Sequence, residues 1–244
     1  MTNPGMTNTA ITASLSGPRV PAKSGQTKQL VVLLHGFGAD GRDLIEIGKQ
    51  WQKLLPDAAF VAPNAPQPCA GAPMGRQWFP LTMRDPDERW KGCVAARSGL
   101  DEFLDAELQA AGLDDSKLAL VGFSQGAMMA LHVGLRRKHA PGAIVGLSGT
   151  LVGPEHLAEA TARTPKGEAP PVLLVHGTQD DVIPVDAIFD ATQQLADAGI
   201  PVQWHLSPGG GHGIDGGALM HGGMFLAQSF GVKLPARKQP APAA

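Results

Sequence analysis

The chain has 244 residues, of which 17% are charged, and a formal net charge of −2. That length allows one large domain whose core needs no metal or disulfide, and the charge excludes the basic face that nucleic-acid phosphates demand. No apolar run reaches the ~18 residues of a membrane span, and Cys69 and Cys93 read as two inert thiols, with one bridge between them as the alternative.

The first 28 residues are mostly Thr, Ser, Gly, Pro and Ala. They read as a weakly ordered lead with one edge strand near 11–15. Residues 1–12 lack the basic and apolar parts of a secretory signal, so the expected compartment is the cytoplasm. Apolar runs at 30–34, 58–62, 118–121, 143–147 and 172–175 read as strands, with 202–206 as a sixth. Most are continuous rather than alternating, as strands buried on both faces are. Helical spacing separates them. It joins Leu100, Phe103, Leu104 and Leu108, then Met128, Leu131 and Leu135. Ile45 with Trp51 and Leu55, Ile188 with Leu195, and residues 218–230 mark further helices. Residues 63–91 form a long excursion punctuated by Pro and Gly, a length usually reserved for function. Residues 233–244 read as a Pro/Ala-rich tail. The alternation predicts an α/β domain over 29–232, with a mostly parallel twisted sheet and helices on both faces. Residues 148–171 are too few for a large lid domain. In such sheets the site lies beyond the carboxyl ends of the strands.

One strand runs into Gly122-Phe123-Ser124-Gln125-Gly126, after which a helix begins. In a strand–turn–helix context, G-x-S-x-G marks a nucleophilic serine. The turn is too sharp for side chains at the flanking positions, and glycine removes their Cβ atoms. The strand at 30–34 ends in His35-Gly36-Phe37-Gly38-Ala39-Asp40-Gly41. This loop supplies an amide to an oxyanion hole, which we assign to the N–H groups of Phe37 and Gln125. His35 reads as a residue that holds the loop by hydrogen bonds.

An acid and then a histidine should follow Ser124. Asp180 stands beyond the strand at 172–175, where it can fix the tautomer of a histidine; Asp181 is its neighbour and alternative. Of the histidines after Asp180, His205 lies within a strand. His212 sits in a Gly-rich loop beyond that strand, and His221 is the alternative. The reading gives a triad of Ser124, Asp180 and His212, with no metal. Met74, Trp78, Phe79 and Leu81 are candidate substrate-binding residues that line an acyl groove; the alternative is that Trp78-Phe79-Pro80 anchors the excursion to the core.

These segments resemble the phospholipase/carboxylesterase family of α/β-hydrolases, which includes bacterial carboxylesterases and acyl-protein thioesterases. The resemblance rests on LHGFGADG (34–41), APNAPQPCAGAPMGRQWFP (62–80), VGFSQGA (121–127), VHGTQDDVIP (175–184) and GGGHGI (209–214). It implies the same triad and oxyanion amides, and hydrolysis of a small acyl ester or thioester without a cofactor. The H-G-x-G-A-D-G spacing looks like the bacterial esterase branch. Family members are often dimers, so a homodimer is an expected assembly. The short lid region predicts an open site that favours short to medium acyl chains.

Overall fold

The computed structural model describes residues 15–69, 71–82, 85, 87–161 and 169–233. Its strands are β1 (Arg19–Val20), β2 (Gln29–Leu34), β3 (Ala58–Val61), β4 (Gln67–Cys69), β5 (Ala72–Gln77), β6 (Leu118–Phe123), β7 (Ala143–Leu147), β8 (Val172–Gly177) and β9 (Val202–Ser207). Its helices are α1 (Gly41–Trp51), α2 (Glu88–Ala111), α3 (Gln125–Gly134), α4 (Leu157–Thr161), α5 (Asp186–Asp197) and α6 (Gly216–Ser229).

The main sheet has the order β1-β3-β2-β6-β7-β8-β9. Only β1 runs antiparallel, with Arg19 opposite Val61; the other neighbours are parallel. The central strands are buried along nearly their whole length, which is why their sequences are continuous apolar runs. Alternate residues divide between two cores. Leu30, Val32, Leu34, Leu118 and Leu120 pack beneath α2, α3 and α5, while Val31, Leu33, Ala119 and Val121 pack beneath α1 and α6. Asp40 and Asp215 cap α1 and α6 by accepting the amides of Arg42 and Ala218.

An edge strand lies at Arg19–Val20, so part of the stretch read as a lead belongs to the sheet, while the strand expected near 11–15 falls almost wholly outside the described residues. Of residues 11–15 only Leu15 is described, and residues 234–244 of the expected tail also lie outside the described residues. The excursion after β3 is not structureless. It contains the antiparallel hairpin β4–β5, with Gln67 opposite Gln77 and a register shift at Pro68/Cys69. Pro68, Pro73 and Gly75 hide it, because they break the alternation that marks a strand. Cys69 and Cys93 are buried and not bridged to one another. Between β7 and β8 the described residues form a short 3-10 turn (Pro154–His156) and α4, with no lid domain.

Candidate active site

Ser124 is the single residue between β6 and α3, and it adopts φ 53° and ψ −116°. A non-glycine residue there stores about 1–3 kcal/mol of strain, held by the surrounding structure. The Ser124 amide donates to the Leu147 carbonyl at 2.9 Å, and its own carbonyl accepts the amides of Ala127 and Met128 at 3.0 and 3.2 Å. The flanking glycines are sterically required. A Cβ on Gly122 would lie 2.1 Å from the Gly126 carbonyl oxygen, and one on Gly126 would lie 1.9 Å from that of Leu34.

Asp180 and His212 rise from the loops after β8 and β9, and backbone bonds stitch those loops together. The Thr178 amide donates to Ser207 O at 3.1 Å and the Gln179 amide to Gly210 O at 2.8 Å. The chains approach so closely that a Cβ on Gly177 would meet Gly210 O at 2.3 Å. Ser207 Oγ donates to Asp215 at 3.0 Å and closes the base of the His212 loop. His212 Nδ1 is then 2.8 Å from Asp180 Oδ2, and His212 Nε2 is 3.0 Å from Ser124 Oγ. The Phe123 ring packs 5.0 Å from the imidazole, centroid to centroid. Of the alternatives, Asp181 is exposed, and His221 stacks on His205 at 3.8 Å.

The Asp180 side chain is fully buried and fully engaged. Its Oδ1 accepts the amides of Val182 and Ile183, both at 2.9 Å. Burial pushes this carboxyl up, but the Ile183 amide, His212 and the Val182 amide outweigh it, so it stays below the usual carboxylate range. An ionised Asp180 requires the proton of His212 to sit on Nδ1, which leaves Nε2 free to accept from the Ser124 hydroxyl.

Phe37 lies on the loop after β2 and is 40% exposed. Gln125 opens α3, so its amide has no acceptor within the helix. The loop touches the nucleophile turn: a Cβ on Gly36 would lie 3.4 Å from Ser124 Cβ. The four groove candidates separate. Trp78 and Phe79 are each 1% exposed and sit in the core, so they anchor the excursion rather than line an open groove. Trp78 also needs a partner for its indole N–H, and finds it in His35 O at 2.9 Å. Leu81 is half-buried against the same core. Met74, on β5, is 77% exposed.

The family model described as phospholipase/carboxylesterase matches residues 15–229. The chain belongs to this family. As a phospholipase/carboxylesterase member it is a carboxylic ester hydrolase with the α/β-hydrolase fold. It is 30% identical over 189 residues to esterase YpfH of Escherichia coli K12, covering 77% of each chain. It is 27% identical to an acyl-protein thioesterase 1 of Gibberella zeae, over 80% of this chain and 88% of the other. Among solved structures, esterase PE8 is 47% identical with a TM-score of 0.83, covering 88% of this chain and 99% of that one. The Bacillus cereus carboxylesterase, at 17% identity and a TM-score of 0.71, shares the fold.

In this family member one residue of the site escaped the sequence reading. His176, 1% exposed, points Nε2 at Asp180 Oδ2, 3.2 Å away, and at Ile183 O, 2.8 Å away. It thus braces the turn that carries Asp180. The signal was its place four residues before Asp180, at the end of the same strand. Among the described residues no group of three or more His, Cys, Asp or Glu side chains is arranged to hold a metal ion, and no helix is long and apolar enough to cross a membrane.

Proposed function

We propose that the chain is a serine carboxylesterase that hydrolyses short- to medium-chain acyl esters through Ser124, His212 and Asp180. The observation that carries this reading is the unbroken line from Asp180 Oδ2 through the imidazole of His212 to Ser124 Oγ, with links of 2.8 and 3.0 Å. His212 Nε2 takes the Ser124 proton as Oγ attacks the ester carbonyl. The carbonyl oxygen becomes an oxyanion received by the amides of Phe37 and Gln125. Collapse expels the alcohol, which leaves with the proton from His212. A water molecule, deprotonated by the same imidazole, then attacks the acyl-Ser124 ester and releases the acid.

Phe37, Met74 and Val182 are exposed apolar side chains on or beside the loops that carry these groups. Together with the short β7–β8 connection they favour an open acyl site. The test is a panel of p-nitrophenyl esters from acetate to palmitate, run on the wild type and on Ser124→Ala. The expected kcat/KM is higher for butyrate and octanoate than for palmitate, and Ser124→Ala loses at least about a thousandfold. A strong preference for palmitate would contradict the open site, and equal turnover by Ser124→Ala would contradict the serine mechanism. The thioesterase relative supports a second reading, thioester hydrolysis at the same site. Matched thioesters in the panel decide between the two by their kcat/KM.

A further inference from the structure

Stabilising an oxyanion depends on where two amides stand when charge develops, within roughly 2.7–3.1 Å of the oxygen's final position. The Phe37 amide belongs to a loop containing Gly36 and Gly38, which has little stiffness of its own. The Gln125 amide belongs to a different element, the start of α3. The two walls of the hole therefore need a common support, and the hairpin excursion provides one.

Residues 76–79 run between the walls and bond to both. On the first wall, the Gly38 amide donates to Arg76 O at 2.9 Å and the Arg76 amide donates to Ala39 O at 2.8 Å. On the other side of Phe37, Trp78 Nε1 donates to His35 O at 2.9 Å. Phe37 is thus bracketed before and after by bonds to one segment. On the second wall, the Gln125 carboxamide pairs with the same segment. Its Oε1 accepts the Trp78 amide at 2.9 Å, and its Nε2 donates to Phe79 O at 2.7 Å.

His35 completes the support from behind. The Ala65 amide donates to its Nε2 at 3.0 Å, so the ring proton sits on Nδ1 and reaches Gly36 O at 2.8 Å. Burial holds this imidazole below its ordinary pKa and so in the neutral form the pattern requires. His35 and Gln125 are 0% exposed, and Trp78 and Phe79 are 1% exposed. No water competes for these bonds, and leaving any of them unmade carries the full desolvation cost.

We propose that residues 76–79, together with the side chains of Gln125, Trp78 and His35, form a strut that fixes the spacing of the two oxyanion amides. Gln125 then serves twice: its main chain as donor and its side chain as a positioning group. This inference rests on the serine-esterase reading above and adds to it which side chains keep the hole in shape.

The test uses Gln125→Met, which keeps the main-chain amide and the side-chain length but deletes both carboxamide bonds. Trp78→Phe, which deletes only the bond to His35 O, is the second variant should the first fail to fold. Both are assayed with p-nitrophenyl butyrate, with active sites counted by fluorophosphonate titration, and with a trifluoromethyl ketone as inhibitor. The ketone adds to Ser124 Oγ, sends the hydroxyl proton to His212 and places its oxygen as an anion in the hole. The expected result is a fall in kcat per titrated site of roughly ten- to a hundredfold, with KM within about twofold. Ketone affinity falls in parallel with kcat/KM. A kcat per site within twofold of wild type, a rise in KM alone, or unchanged ketone affinity alongside reduced kcat would overturn the strut. Ser124→Ala in the same assay separates the two claims. Full turnover there defeats the serine reading, whereas a dead Ser124→Ala beside a wild-type-like Gln125→Met defeats the strut alone.

Discussion

Ser124 holds a backbone conformation that serine disfavours, and the fold enforces it through the Leu147 carbonyl and the first turn of α3. Replacing the side chain by hydrogen relieves about 1–3 kcal/mol of strain, less the ~0.5–1 kcal/mol that glycine loses through its extra freedom when unfolded. Ser124→Gly is therefore expected to melt at a higher temperature than Ser124→Ala, which keeps a Cβ and the same strain. Calorimetry of the two variants checks this, and equal melting temperatures would contradict it. The glycines around Ser124 were legible in the sequence because their spacing records a steric requirement: no Cβ fits at 122 or 126. His176 was not legible as part of the site. Its role comes from a side-chain direction that only the packed turn around Asp180 reveals. Trp78 and Phe79 show the opposite error, since aromatic residues beside a candidate site look like groove lining until their burial is known.

Among the elements, strands buried on both faces announced themselves as apolar runs, and all six runs are strands of the sheet. The hairpin β4–β5 and the first half of α2 did not. The hairpin carries two prolines, and α2 buries only Cys93 in its first three turns, so neither shows a clean period. The interface of α2 with α3 contains a buried imidazole with a measurable consequence. His132 on α3 is 2% exposed, and its Nδ1 has no hydrogen-bond partner among the described residues. Burial, then Arg136 and Arg97, lowers its pKa from 6.5 to about 3. The folded chain keeps it neutral, whereas the unfolded chain takes up a proton below its ordinary pKa. Its contribution is thus fully present above pH 6.5 and is lost progressively as pH falls toward about 3. The melting temperature should drop over that window, and His132→Leu should flatten the drop; an unchanged slope in the variant would contradict the assignment. Just beyond α3, Arg137 binds Asp101 at 3.0 Å, Asp105 at 2.6 Å and also Asp115. Its side chain is only 6% exposed. Arg137→Leu removes the cation beside the mostly buried Asp115, while Asp101 keeps Arg97 and Asp105 faces solvent, and it is expected to cost about 2 kcal/mol in urea unfolding. A loss under about 1 kcal/mol would show that the cluster contributes no more than a surface pair.

Across the whole molecule, one geometric fact organises the site. The loops after β2, β6, β8 and β9 leave the same carboxyl edge of one parallel sheet. Residues nearly ninety positions apart thereby come within hydrogen-bond reach. That edge was legible from strand order in the sequence, because parallel strands joined by helices must all point the same way. The support around it was not. The strut at residues 76–79 depends on which main-chain groups meet a buried carboxamide, and no periodicity encodes that. Whether Ser124 carries the acyl group is measured most directly by acid-quenched peptide mass spectrometry after rapid mixing with p-nitrophenyl acetate. The prediction is a burst of about one nitrophenolate per active site with an acetyl group on the Ser124 peptide, and neither in Ser124→Ala. An equal burst from Ser124→Ala, or acetyl groups confined to other residues, would contradict it.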